Sequence, residues 1–328
     1  MRRTRRGIGV LLVVAMAFSL LACRKPAVAS RTDFAMDTVI SVTIYEAGDT
    51  EVEAVLDRCF AEVKRLEGLF SATLPNSDVA RINQAGGTAV TVAEETAELL
   101  AESLKYSALS DGAFDVTLRP VIELWDFSGN SGVVDAVLLP HALKTVDYRA
   151  MSVDGQTVTL TIGGSIDLGG IAKGYIADRL RELLEQEGVT SAVVDLGGNI
   201  VVCGSKNGDD WRVGIKDPAD VSSLCAVVTG QNLSVVTSGI YERGFTLDGV
   251  RYHHLLSPKT GMPVQNGLAS VTIACESSVQ ADALSTACFV LGESAGLELV
   301  RSLDGVEALF VRQDGKMIAS EGLAYTPA

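Results

Sequence analysis

The sequence predicts an α+β fold: one layered domain in which helices pack on a mixed β-sheet. Three observations carry that prediction. Short stretches of period-two apolar alternation recur along the chain, Phe34 to Tyr45 and Thr157 to Ile162 among them. A few longer segments place apolar residues at helical spacing instead. The two kinds follow one another without the regular alternation of a doubly wound sheet. With 328 residues, 47% of them hydrophobic, and no repeat, low-complexity tract or clean linker, the chain has material for one large core.

Met1 to Arg6 carries four arginines, and Ile8 to Leu21 is an apolar run too short for a comfortable bilayer span. Leu20-Leu21-Ala22-Cys23 closes it, so residues 1–22 are expected to be a bacterial lipoprotein signal peptide, with lipid (palmitate included) on Cys23. The expected location is extracytoplasmic, anchored to the outer face of the cell membrane. Residues 23–33 then form a lipidated tether and residues 34–328 the folded domain. Removing the signal takes the net charge from −14 to −18. That balance argues against nucleic acid, which needs a basic face, and means that an anionic ligand requires a local positive or metal-lined pocket. The remaining cysteines, Cys59, Cys203, Cys225, Cys275 and Cys288, are odd in number, lack a C-x-x-C pair and lie in apolar patterns, as buried thiols do.

The elements follow in order. Phe34 to Tyr45 alternates as a strand. Thr50 to Leu69 carries Val52, Val55, Leu56, Cys59, Phe60, Val63 and Leu66 on one helical face, with Thr50 placed as its N-cap. Ser71 to Ala89 is a loop with a helical turn at Asp78 to Asn83. Val92 to Ser110 is a second amphipathic helix, ended by Asp111-Gly112. Phe114 to Trp125 shows no single period, and Gly129 to Gly132 is a loop. Leu139 to Leu160 reads as short strands and turns. Tyr175 to Glu187 is helical, with Gly188 as its C-cap. Strands follow at 191–203, 211–216, 225–229, 233–238, 245–256 and 269–274, the first interrupted by a turn at Gly197-Gly198. Gln280 to Leu291 and Ala295 to Leu303 are helices, and a hairpin through Asp314-Gly315 closes the chain.

Four places suit chemistry, and each also admits a purely structural explanation. In Gly163 to Gly188, a glycine-rich turn holding Asp167, Gly169, Gly170, Lys173 and Gly174 runs into a helix start. Exposed N–H groups, the helix dipole and one lysine suit a phosphate or pyrophosphate, although a tight strand-to-helix turn has the same composition. In Ala281 to Leu291, Asp282 and Thr286 share a helix face with Ser285 beside them, which offers hard oxygen ligands to Mg²⁺. The same residue types serve as dipole partners and back-bonded hydroxyls. In Arg251 to Val264, adjacent His253 and His254 point oppositely on a strand, so one of them can face a pocket as a base, or neither. Finally, Phe34 to Thr38 and Ala113 to Asp115 set apolar residues beside an acid, suited to a flat ligand or to ordinary packing.

Read together, AMDT (Ala35 to Thr38), PNSDVARIN (Pro75 to Asn83), DGAFD (Asp111 to Asp115), DLGGIAKGYIAD (Asp167 to Asp178), DLGGN (Asp195 to Asn199), TSG (Thr237 to Gly239), HLLSPKTGMPV (His254 to Val264) and ADALSTA (Ala281 to Ala287) resemble the FAD:protein FMN transferase (ApbE-type) family of flavin-trafficking lipoproteins. The resemblance runs over about residues 33–320 in the family's order. It implies a T-fold-like layered architecture and Mg²⁺-dependent transfer of the FMN half of FAD to a Ser or Thr hydroxyl, releasing AMP. The implied partners are acceptor flavoprotein subunits of Rnf- or Nqr-type electron transport. By the same resemblance Gly170, Asp282, Ser285 and Thr286 would surround the metal. Met36, Ala113, Phe114, Asp115, Asp167, Lys173 and Leu256 would contact FAD, and His254 would be the catalytic base. Thr73 stands where the family often has Tyr, which implies a looser flavin grip and opens hydrolysis of FAD to FMN and AMP as an alternative. A non-catalytic flavin-binding lipoprotein is the alternative from another class. Ser257 replaces a common acid within a turn signal that is otherwise kept.

Overall fold

The computed structural model describes residues 29–125, 127 and 134–328. The signal peptide, Cys23 and the loop expected at Gly129 to Gly132 lie outside the described residues. The described chain opens with a hairpin of β1 (Ala29–Ala35) and β2 (Thr38–Glu46), joined by Met36 and Asp37 at φ 52° and 57°. Two successive residues at positive φ give a tight turn whose twist matches its strands. The single strand expected over 34–45 is therefore two, and β1 reaches back into the stretch read as tether. The turn is hidden in the sequence because Met-Asp carries none of the usual Asn-Gly signal.

Helix α1 (Val52–Phe70) buries the face expected of it. Thr50 does not cap it: its hydroxyl donates to the Glu187 carbonyl at 2.8 Å, tying the start of α1 to a distant loop. Then come α2 (Asp78–Gln84), capped by the Ser77 hydroxyl, β3 (Val90–Thr91) and α3 (Glu94–Leu109). The stretch 114–125, which shows no single period in the sequence, contains α4 (Arg119–Ile122). Leu139 to Leu160, expected as strands and turns, begins instead with α5 (Leu139–Leu143), started by Pro140 in its first turn. A 3₁₀ turn at Tyr148–Ala150 and strands β4 (Ser152–Asp154) and β5 (Thr157–Thr159) follow. Next are α6 (Ala172–Gln186), β6 (Ser191–Leu196), β7 (Asn199–Cys203), β8 (Trp211–Lys216), β9 (Leu224–Gly230), β10 (Leu233–Gly239), β11 (Gly244–Leu247) and β12 (Val250–His253). The chain ends with β13 (Leu268–Cys275), α7 (Ser278–Leu291), α8 (Glu293–Arg301), β14 (Glu307–Arg312), β15 (Met317–Ala319) and β16 (Tyr325–Pro327).

The architecture is α+β and layered, as the sequence predicts. Its main sheet has eight strands in the order β1-β2-β6-β7-β10-β13-β14-β15. All of its pairs are antiparallel, so it is not the mixed sheet expected. Alternate residues of each strand feed opposite layers. Ile40, Val42, Ile44, Val194, Val201, Val236, Val271 and Phe310 join α1, α6 and α7 in the larger core. Val202, Val235, Ala274 and Leu309 face the other way, onto the small sheet β16-β9-β8. Four of the described cysteines are buried in these layers, whereas Cys225 is half-exposed and departs from the expectation; all five are free thiols. Among the described residues no helix is long and apolar enough to cross a membrane.

The joint that positions the site lies between α6 and α7. Asp178 accepts from the backbone N–H of Ser278 and Val279, both at 2.9 Å, so α6 supplies the anion at the start of α7. In return Asp282 of α7 accepts from the Gly174 N–H at 2.9 Å in the first turn of α6. The helices meet so closely there that a Cβ on Gly174 would lie 2.3 Å from the Ser278 carbonyl oxygen. Gly174→Ala is therefore expected to destabilise the fold by about 1–3 kcal/mol through overpacking. Urea unfolding should show a lower midpoint at unchanged slope.

Candidate functional site

The glycine-rich loop reaches α6 under the control of Asp167. Its N–H donates to the Val116 carbonyl at 2.8 Å, its Oδ1 accepts from Gly169 N–H at 2.8 Å, and its Oδ2 meets Arg119 at 3.3 Å. The N–H and both carboxylate oxygens of Asp167 are thus engaged within the protein. Gly170 passes where a Cβ would stand 3.2 Å from the Phe114 ring and 3.7 Å from the Thr286 hydroxyl. Lys173 folds back to donate to the Gly169 carbonyl at 3.1 Å, with its Nζ 4.0 Å from Asp282 Oδ1. The residue at the N-cap of α6, Ile171, has no side-chain group to cap it, and the first-turn Gly174 N–H is met instead by Asp282 of α7 at 2.9 Å.

Asp282 lies in the second turn of α7, beyond the reach of a cap on its own helix. Its partner is the N-terminus of α6. Oδ2 is taken by Gly174, while Oδ1 has no hydrogen bond among the described residues and lies 4.0 Å from the Lys173 ammonium. The hydroxyls divide. Ser285 is fully buried, donates to the Asp282 carbonyl at 2.9 Å and contacts Ser238 Oγ at 2.8 Å. Back-bonding to the helix therefore accounts for it. Thr286 is only half-buried and contacts Ser238 at 3.3 Å.

One carboxylate oxygen, one hydroxyl and the Gly170 peptide are hard donors of the kind Mg²⁺ takes when ligand phosphates and water complete its shell. The donor set fits that ion on chemistry. Among the described residues no three His, Cys, Asp or Glu side chains cluster to hold a metal by themselves.

The strand ends at His253, and the two histidines have different surroundings because His254 lies beyond it, not because of strand alternation. His253 is 1% exposed, donates Nε2–H to the Val264 carbonyl at 3.0 Å and packs edge-on against Phe289. Its role is structural. His254 leaves the strand at the cleft, with Nδ1 3.3 Å from the Arg243 carbonyl and Nε2 3.8 Å from Glu242 Oε2. Desolvation by the cleft walls, with a smaller contribution from neighbouring positive charge, pushes His254 down to about 4, so at neutral pH it is an unprotonated imidazole. Desolvation raises Glu242, to about 7, against the attraction of Lys173 and with repulsion from Asp282. Its side chain is 38% accessible, and water at the rim moderates that rise.

The other candidates sit around this centre in supporting positions. Ala113 and Phe114 are buried, following Asp111 and Gly112 at positive φ. The Asp115 carboxylate accepts from Thr117 N–H at 2.8 Å, Thr117 Oγ1 at 2.6 Å and Tyr148 N–H at 3.1 Å, leaving it engaged within the protein. Leu256 is buried in a separate apolar cluster with Leu118, Val121, Trp125, Leu139 and Phe245. Trp125 donates to the Gly261 carbonyl at 2.9 Å and pins the turn that holds Ser257. There the Gly261 N–H donates to the Ser257 carbonyl at 2.7 Å, a bond that does not involve the Ser257 side chain. Met36 lies in the β1–β2 turn, its N–H on Glu67 at 2.7 Å, and half-buried against the larger core. Nothing links it directly to Lys173 or His254. Thr73 is exposed.

A cavity of about 430 Å³ opens beside the loop, lined by Asn83, Arg119, Glu123 and Gly163 to Ser165 among others. That volume lies within the range of small-ligand pockets, about 300–1,000 Å³. Asn83 fixes its wall by bonding both the N–H and the carbonyl of Ile166, at 2.7 and 2.9 Å. Sequence reasoning missed Arg119, Ser238 and Glu242. Ser238 sits within the TSG motif, but no spacing rule marks the other two.

The ApbE family model matches residues 36–310. The chain is 39% identical over 315 residues to a Treponema pallidum protein named FAD:protein FMN transferase, covering 90% of this chain and 87% of that one. A Klebsiella pneumoniae protein of the same name is 37% identical over 84% of this chain and 88% of its own. The crystal structure of the ApbE protein from Thermotoga maritima superposes with a TM-score of 0.83 at 35% identity, covering 90% of this chain and 97% of that one. The apo flavinyl transferase ApbE of Pseudomonas stutzeri gives 0.80 at 30%, covering 91% and 97%.

The three hydrogen bonds into Asp115 lead to a distinct expectation. Asp115→Ala should cost about 1–3 kcal/mol by orphaning buried donors. The loss should be visible as a lower thermal midpoint in protein without ligand.

Proposed function

The chain belongs to the ApbE family, and from that premise we propose that it transfers the FMN half of FAD to a Ser or Thr hydroxyl of a partner protein, with release of AMP. It is a transferase of flavin. The observation that carries the finer reading is the meeting of three groups at one cleft: Lys173, Asp282 with one oxygen unengaged, and an unprotonated His254.

The chain's own residues then have separable tasks. The Asp167-shaped loop and Lys173 receive the diphosphate, where backbone N–H groups and a full positive charge favour developing negative charge. The cavity beside Arg119 offers room for one of the ring systems. Asp282, Thr286 and the Gly170 carbonyl would hold Mg²⁺. When bound, that ion would neutralise phosphate oxygens as the transferred group changes hands. His254 Nε2 takes the proton of the attacking hydroxyl. Lipid on Cys23, acceptors of the Rnf or Nqr kind and an extracytoplasmic location complete the proposal.

A second reading rests on Thr73. Because this small side chain is exposed at the approach to the cavity, the flavin is held without a stacking ring, and water competes with the acceptor hydroxyl. FAD would then yield FMN and AMP.

Purified protein incubated with FAD, Mg²⁺ and an acceptor domain should produce a flavin-fluorescent band on a denaturing gel. AMP without the band would favour hydrolysis, and neither product would reject catalysis on FAD. His254→Ala is expected to lower turnover by about a hundred- to ten-thousand-fold while FAD binding persists. Asp282→Ala should abolish both reactions, and chelation of Mg²⁺ should do the same to the unaltered protein.

A further inference from the structure

Glu242 is the acid nearest His254, and the reaction outlined above gives it no task. It follows β10 by three residues, at the point where the chain turns into β11. The imidazole is held at two places. Nδ1 lies 3.3 Å from the Arg243 carbonyl, which fixes the proton there and leaves the lone pair on Nε2. Glu242 Oε2 lies 3.8 Å from that Nε2. A neutral imidazole with an unprotonated Nε2 has nothing to donate to this carboxylate, so the distance is long. Once Nε2 is protonated the same pair becomes an ion pair with a donor, and such contacts shorten when catalysis calls on them.

We propose that Glu242 is a positioning residue for His254, its carboxylate accepting the Nε2–H of the imidazolium formed when His254 takes the acceptor's proton. This rests on the flavin-transfer reading of the site. In that step the acceptor oxygen bonds to the FMN-side phosphorus and its proton passes to Nε2. The bond from that phosphorus to the bridging oxygen breaks, and the electron pair leaves with AMP. Nothing is oxidised or reduced. The imidazolium later returns its proton to solvent.

The surroundings suit a carboxylate that holds a transient cation. Lys173 from α6, Lys216 at the end of β8 and the adjacent Arg243 act on it as positive groups that favour its ionised form, while Asp282 from α7 opposes them. Desolvation raises the carboxyl, so its charge develops close to neutral pH. Lys173 and Arg243 also disfavour the imidazolium. Glu242 is the acid placed to counter both.

Two measurements on the full chain test this. The first is titration of the His254 ring resonances by NMR, assigned by their loss in His254→Ala. A neighbouring carboxylate favours the imidazolium, so Glu242→Gln should lower the His254 pKa, and Glu242→Asp should restore part of it. An unchanged or raised His254 pKa overturns the proposal, whatever the reaction catalysed. The second is the pH–rate profile with FAD and Mg²⁺. Glu242→Gln should lower kcat by about ten- to a hundred-fold, the usual effect of removing a group that orients an active one, with KM for FAD within about twofold of its original value. The acidic limb of kcat, near pH 7 in the unaltered protein, should move to lower pH. A purely structural Glu242 would lower the thermal midpoint or raise KM and leave the limb in place, which would also overturn the proposal. Failure of the unaltered protein to cleave FAD would reject the flavin reading and leave the NMR result to decide the pairing.

Discussion

The site depends on one contact, the acceptance of the Gly174 N–H by Asp282 across the α6–α7 joint. It decides where the glycine-rich loop ends, because it fixes the first turn of α6. It decides where Lys173 points, because that side chain leaves from the same turn. It also aims the carboxylate, since holding Oδ2 leaves Oδ1 turned toward the lysine. A side chain at position 174 would force the helices apart and undo all three. Two segments 108 residues apart are thereby made into one unit, and Gly170 and Thr286 approach each other across the same joint.

Electrostatics then explains how so acidic a chain can present a place for an anion. A net charge of −14 repels phosphate at long range, yet within the cleft the deciding charges are local. Lys173 and the start of α6 supply positive potential. Asp167, which would oppose it, is tied to Arg119 and to the Gly169 amide. Of the other acids, Asp282 spends one oxygen on the α6 start and keeps one for a cation, and Glu242 faces His254. Desolvation adds the other half of the arrangement by keeping His254 neutral.

Much of this was legible beforehand, and the exceptions have physical causes. The amphipathic face of α1 and the apolar run of α7 could be read from periodicity alone. The helix position of Asp282 and Thr286 follows from the geometry of a helix, whereas strand alternation does not apply to His253 and His254, because β12 stops at His253. The β1–β2 turn could not be read, because Met36 and Asp37 adopt positive φ without the residues that usually permit it. Thr50 looked like a cap but bonds Glu187, a choice set by tertiary contact between segments 137 residues apart. Ser285 shared a helix face with Asp282, yet its hydroxyl turns back to its own backbone. Glu242 escaped notice because nothing local distinguishes it; only the fold brings it to His254. The same holds for Arg119, whose partner Asp167 lies 48 residues away.

The capping of α7 by Asp178 has a further bearing. Two helix starts lie side by side in this protein, and both attract negative charge. One is permanently plugged by a carboxylate of the chain itself, with three bonds to Ser277 Oγ and the amides of Ser278 and Val279. The other is met by Asp282 through one amide, that of Gly174, so each helix supplies the anion at its neighbour's start, and a change that loosens one end would be felt at both.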